Sequence, residues 1–130
     1  MTHKDIELIL LRQWASYLDM PIFLAGADGE LLFYNEPAEA LVGVRFDEAG
    51  EMPASLIARL FKTKKEDGTP MTAAELPLTV ALTERRPSHR VVRFEGLDGV
   101  HRTVEVTAVP LTGNGNRNLG AVIFFWEAGR

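Results

Sequence analysis

The last third of the chain sets the strongest limit on the fold. After Pro87 come three segments rich in branched and aromatic residues, "HRVVRFEG", "HRTVEVTAVPL" and "LGAVIFFWE", joined only by a turn at Asp98-Gly99 and by a short loop over 113–118. Connections that short join antiparallel neighbours, so these segments predict a three-strand meander. The stretch "LTGNGNRNLGAV", residues 111–122, has the glycine content of a phosphate cradle. A cradle needs a helix N-terminus behind it to supply free N–H groups, whereas this stretch leads into the apolar run "GAVIFFW", which reads as a strand. The loop is therefore a turn, with glycine and asparagine supplying positive φ angles.

The first third predicts a helix and a hairpin. Apolar residues at Ile6, Ile9, Leu10, Leu11, Trp14 and Leu18 recur at helical spacing over 2–18, with Thr2 and Asp5 as a weak capping box. Pro21 stops that helix. "PIFLAGADGELLFYN" then reads as strand, Asp28-Gly29 turn, strand. Asn35 caps a short helix in "NEPAEALVG", with a proline in its first turn and Gly43 as its stop. The signal weakens over 44–66, where "ASLIARLF" reads as a second short helix and "KTKKEDG" as an exposed loop. Thr72 and Glu75 form a turn of the capping-box type, and a helix follows from about 77 to 84.

At 130 residues and 46% apolar composition the chain has the size of one domain that can bury a core without metal or disulfides. Cysteine is absent, which rules out disulfides, thiolate metal sites and cysteine nucleophiles. The formal net charge of −4 argues against nucleic acid as a partner. The basic stretch "RRPSHRVVR" at 85–93 alternates with apolar positions and reads as a solvated strand edge. With neither an apolar run long enough to span a bilayer nor a signal-peptide pattern, the expectation is a cytoplasmic protein without membrane contact.

Hairpin, several short helices and then three strands is the element order of the PAS fold, and the junction residues agree. "DGELLFYNEPAEALVG", "DGTPMTAAELPLTVAL" and "DGVHRTVEVTAVPL" followed by "LGAVIFFWE" resemble the corresponding PAS segments over residues 21–127. The resemblance implies an α+β fold: a five-stranded antiparallel sheet with short helices on one face and the segment 1–20, an amphipathic cap and dimerisation helix, on the other. Three positions depart from the pattern. Gly26 stands where many members are acidic, Arg85 and Arg86 replace the usual glycine at the helix exit, and Glu127 stands where the family continues with Asp-Ile-Thr and a helix to an effector. That ending fits either a fragment of a longer protein or a free-standing domain that signals through a partner.

Strand parity assigns faces. Arg93 and Glu95 must meet water, which turns Val92 and Phe94 inward; Thr103, Glu105 and Thr107 likewise turn Val104, Val106 and Ala108 inward. For the strands without polar markers, the PAS resemblance implies that Phe23, Ala25, Leu31, Phe33, Ala121, Ile123 and Phe125 face inward, with Leu78 and Leu82 closing the space. The ligand-pocket candidates are thus Phe23, Leu31, Phe33, Leu78, Leu82, Val92, Phe94, Val104, Val106, Ile123 and Phe125. The same phase puts Ile22, Leu24, Leu32, Tyr34, Val122, Phe124 and Trp126 on the opposite face, too apolar to stay wet. The expectation is a homodimer in which Leu10, Trp14 and Leu18 of the N-terminal helix join Ile22, Leu24, Tyr34, Val122, Phe124 and Trp126 at the interface.

Flavin-binding members of this family use polar inward side chains, and the light-sensing ones a cysteine. Here those positions are Val, Phe and Ala, so flavin is disfavoured. Haem-binding members draw an axial histidine from the long helix, and 77–84 has none. His3, His89 and His101 read as structural, and no metal site is expected. No cofactor is expected; a small apolar ligand such as a fatty acid suits the lining, and so does a filled core. The leading expectation is a non-catalytic sensory or regulatory module of bacterial signal transduction, coupled to an effector domain or a partner signalling protein. The alternatives are an interaction scaffold with an inert core, and a small cone-shaped α+β isomerase or dehydratase, which would need an inward Asp, His or Tyr that the inward set lacks.

Overall fold

The structure is a computed structural model, and it describes residues 6–127. The Thr2–Asp5 capping box lies outside the described residues. The elements are α1 (Ile6–Ala15), β1 (Ile22–Ala25), β2 (Leu31–Tyr34), α2 (Glu36–Val42), α3 (Phe46–Ala49), α4 (Ala54–Phe61), a 3-10 turn (Ala73–Glu75), α5 (Pro77–Glu84), β3 (Ser88–Glu95), β4 (His101–Gly113) and β5 (Arg117–Glu127). The strands form one five-stranded sheet in the order β2-β1-β5-β4-β3, with every pairing antiparallel.

Local chemistry places these elements. Asn35 caps α2 by accepting the Ala38 N–H, and Gly43 closes the helix at φ 90° with its N–H on the Glu39 carbonyl. Only glycine fits at Gly43, because a Cβ there would stand 2.7 Å from the Asp98 backbone nitrogen. That contact seats α2 on the β3–β4 hairpin, where Leu97 N–H donates to Val42 O (2.6 Å) and the Arg102 guanidinium donates to Leu41 O (3.1 Å). The turn between β4 and β5 is tighter than the sequence suggested: both strands run to the 3-10 turn at Asn114–Asn116, where Gly115 and Asn116 take positive φ.

The sheet is apolar on both faces. Beneath α1 lies a cluster of Leu8, Ala15, Ile22, Leu24, Leu32, Leu119 and Val122, so the chain covers much of its own outer face. Helices α2–α5 cover the other face over two clusters, one centred on Val92, Val104, Val106 and Ile123 and one on Leu31, Tyr34, Val42 and Phe46. The α1 stripe differs from the expected one. The helix buries Leu8 and Ala15 and packs Leu11 against the sheet, whereas Ile6, Ile9, Leu10 and Trp14 are exposed.

Two face assignments, Phe33 inward and Tyr34 outward, are reversed by a bulge. Leu24 opposes Phe33 and Ala25 opposes Leu31, which leaves Leu32 as an extra residue on β2. Leu31 keeps the inner face, but Phe33 turns towards α1, with the Arg12 guanidinium 4.7 Å from its ring centre. Tyr34 turns inward instead, fully buried and 5.5 Å from Phe23 between ring centres. Its hydroxyl donates to Val44 O at 2.7 Å, and burial, with smaller effects of Glu39 and Glu48, pushes its pKa up to about 12. Tyr34 is therefore a permanent donor in the core.

Candidate functional site

Between the sheet and helices α2, α4 and α5 lies a cavity of about 110 Å³. Its floor is formed by strand residues: Phe23 and Ala25 of β1, Leu31 of β2, Val92 and Phe94 of β3, Val106 of β4, and Ile123 and Phe125 of β5. Its roof comes from Leu41, from Ile57 and Phe61 one turn apart on α4, and from Leu76, Pro77 and Leu78 at the start of α5. Thr63 is the one polar side chain in the lining. Phe23 stacks obliquely on Phe125 at 4.5 Å and Phe61 meets Phe94 edge-on at 6.1 Å, so two aromatic pairs brace opposite ends of the wall.

Of the expected pocket residues, Phe23, Leu31, Leu78, Val92, Phe94, Val106, Ile123 and Phe125 stand on this wall. Phe33, Leu82 and Val104 do not. Phe33 is diverted by the bulge. Leu82 lies one turn beyond Leu78 and points to the β1–β2 turn, its Cδ1 3.7 Å from where a Cβ on Gly29 would stand. Val104 is fully buried in the same cluster as Val92 without reaching the cavity. Sequence reading missed the roof residues Leu41, Ile57, Phe61 and Leu76. The i, i+4 pair Ile57 and Phe61 is the signal that could have found α4's share.

The expected interface residues fall in three places. Ile22, Leu24 and Val122 are buried under α1 of the same chain, with Leu18 and Phe124 packed at the margin of that cluster. Tyr34 belongs to the opposite face. Leu10, Trp14 and Trp126 are open to solvent, at 57%, 46% and 37% exposure. Trp126 stacks on His89 at 5.7 Å; the His89 ring also meets Glu105 at 3.2 Å and Thr107 at 2.7 Å.

Among the described residues, no group of His, Asp and Glu is placed to hold a metal ion, and no helix is long and apolar enough to cross a membrane. No family model and no curated protein matches the sequence. Solved structures do. The PAS domain of a protein from Colwellia psychrerythraea is 18% identical, with 95% of this chain and 98% of that chain covered and a TM-score of 0.65. A Rhodobacter sphaeroides LOV protein is 16% identical, with 97% and 70% covered and a TM-score of 0.74. The PAS domain of nitrogen regulation protein NR(II) from Vibrio parahaemolyticus is 17% identical, with 92% and 98% covered and a TM-score of 0.64. An open antiparallel sheet with helices α2–α5 and the cavity on one face and α1 on the other defines an α+β domain. The particular architecture is the PAS fold.

Proposed function

We propose that this chain is a non-catalytic sensory or regulatory module of a bacterial, cytoplasmic signalling system. It takes a small apolar ligand between sheet and helices, pairs with a second copy through α1 and reports to an effector domain or a partner signalling protein. The observation that carries this reading is the lining of the cavity, whose one polar side chain is Thr63. With no carboxylate, imidazole or amine in the lining, the cavity has no general acid or base to offer. It is an apolar binding space. A dry cavity of roughly 150 Å³ in another protein accepts benzene, so about 110 Å³ suits a single ring or a short branched chain better than a long acyl tail. The lining disfavours flavin and haem: a flavin ring would bury its polar atoms against Val, Phe and Ile, and among the described residues no histidine lines the space for haem.

Pairing is supported by α1 itself. Leu8 and Ala15 bury one side of the helix, while Ile6, Ile9, Leu10 and Trp14 leave the other side apolar and open. A helix apolar on both sides needs a second cover. Another copy of this chain offers the same surface, which is what a two-fold interface requires.

The ligand reading is tested with benzene and the purified protein. Benzene should raise Tm in the wild type and have no effect on Ile123→Phe or Leu78→Phe, each of which fills the cavity. An unmoved wild type, or a coloured sample whose extract contains flavin or haem, would refute it. Sedimentation tests the pairing: a wild-type dimer that Leu10→Glu converts to a monomer still responsive to benzene supports it, and a wild-type monomer refutes it.

A further inference from the structure

At the free edge of the β3–β4 ladder lies a depression of about 360 Å³ lined by Lys62, Lys64, Arg93, Arg102 and His101, with Glu95 as its carboxylate among the described residues. The segment 62–64 runs beside the free edge of β3. Lys64 and Arg93 are direct cross-strand partners, with Lys64 N–H to Arg93 O at 2.7 Å and Arg93 N–H to Lys64 O at 2.9 Å. Both side chains therefore project on one face.

The charges divide unequally. Glu95 pairs with Lys62 at 3.5 Å and lies 3.8 Å from His101, and Asp98 pairs with Arg102 at 3.7 Å. The Asp67 carboxylate accepts from both the backbone and the hydroxyl of Thr69, and those bonds, with smaller effects of the Lys65 and Arg93 charges, hold its pKa below the ordinary value; Asp67 thus offsets Arg93 in part without pairing with it. Among the described residues, neither Lys64 nor Arg93 has a carboxylate within ion-pair distance. Two like charges opposed across a ladder are unfavourable unless an anion lies between them. Gly68, at φ 93°, lies beside Arg93: a Cβ there would meet the guanidinium at 3.6 Å, in ordinary van der Waals contact.

We propose that this depression is a binding site for a phosphate dianion, free or as the terminal group of a small phosphate ester, held between Lys64 and Arg93 and flanked by Lys62 and Arg102. Two cations without a direct ion pair match the charge of one dianion, and a guanidinium fork beside an ammonium suits its tetrahedral oxygens. The depression backs onto the apolar cavity at Phe94, which lines both, but the two differ in chemistry: Thr63 lines the cavity, while Lys62 and Lys64 line the depression.

The test is an amide-shift titration of the whole chain with inorganic phosphate and, separately, with glycerol 3-phosphate, at constant ionic strength. Saturable shifts should be confined to residues 62–68, 93–95 and 101–103. Lys64→Ala and Arg93→Thr should each weaken binding about tenfold, the loss of one charge-assisted contact. Tighter binding of the ester would assign the group to a larger molecule, and equal binding to free phosphate. In phosphate-free, low-salt buffer, Arg93→Thr should also raise Tm, because it removes the like-charge pair. Three results would overturn the site: no saturation, the same shifts from chloride alone, or undiminished binding by both variants.

Discussion

The side-chain amide of Asn35 donates to the carbonyl of Ala15 at 3.0 Å, tying the last residue of α1 to the start of α2. The same amide donates to Met20 O at 2.9 Å, while Oδ1 accepts from the N–H of Ile22 (3.0 Å) and of Ala38 (3.2 Å). One buried side chain thus joins α1, β1 and α2. Asn35→Ala would leave backbone groups unpaired in the core and should cost about 3 kcal/mol in urea unfolding. Asn35→Asp keeps the acceptor and sets a carboxylate against two carbonyls. Burial and those carbonyls would raise its pKa above the unfolded value, so the variant should match the wild type most nearly at low pH and fall behind as pH rises through the folded pKa. Equal stability of the two proteins at pH 7 would count against this account. In both variants α1 should show the earliest loss of hydrogen-exchange protection.

Asn35 was legible in the sequence because an asparagine before a proline-containing helical turn has one common use. The same holds for the Asp-Gly turns and for Gly43. Strand faces were legible on β3 and β4, where Arg93, Glu95, Thr103 and Glu105 mark the wet side. "LLFYN" has no such marker, and nothing in its apolar and aromatic residues before Asn35 shows where a bulge falls, so Phe33 and Tyr34 exchanged faces. The α1 face was ambiguous for a related reason: apolar residues occur all round it, so periodicity allowed either the Leu8 side or the Leu10 side to pack down. The cavity floor could be read from strand alternation. Its roof was legible only in part: the i, i+4 pair Ile57 and Phe61 marks α4's share, whereas Leu41 of the seven-residue α2 and Leu76 before α5 stand in stretches too short for a period to show.

Leu31 borders the cavity on one side and the Tyr34–Phe46 cluster on the other, and is 1% exposed. Removing its branched end enlarges a space that is already open. Leu31→Ala should therefore cost about 3 kcal/mol or more, within the range for buried leucines, since little can collapse into the gap. The same variant should gain more from benzene than the wild type does, as a Tm rise on adding the guest. A loss without that added rescue would mean that the cavity closes when Leu31 is cut back.

Gly120 sits in β5 at φ 130°, where a Cβ would run into the carbonyl oxygen of Ala25 on the neighbouring strand. The position combines a backbone conformation that side chains rarely adopt with a close approach of two central strands. Gly120→Ala should cost about 3 kcal/mol in denaturant unfolding. Gly115 also has positive φ, at 71°, but a Cβ there meets nothing within 4 Å. Gly115→Ala should cost about 1 kcal/mol. Equal losses at the two sites would show that dihedral strain alone, and not the contact with β1, makes Gly120 necessary.

Glu75 closes the turn before α5. Its carboxylate takes a 2.9 Å contact from the Lys65 ammonium and accepts from the Thr72 backbone N–H at 2.8 Å and from the Thr72 hydroxyl at 3.0 Å. Hydrogen bonding to Lys65, then to the Thr72 N–H and hydroxyl, lowers its pKa from the ordinary glutamate value to about 2. Because the folded pKa lies below the unfolded one, the stabilisation is present above the unfolded value of about 4.3 and fades as pH falls towards about 2. Glu75→Gln should be less stable than the wild type at pH 7, with the gap shrinking between about pH 4.5 and pH 2 in parallel unfolding curves. Raising salt at pH 7 should narrow the gap only in part, since salt screens Lys65 but leaves the Thr72 bonds in place. A gap that stays constant down to pH 2 would mean that the carboxylate contributes shape and not charge.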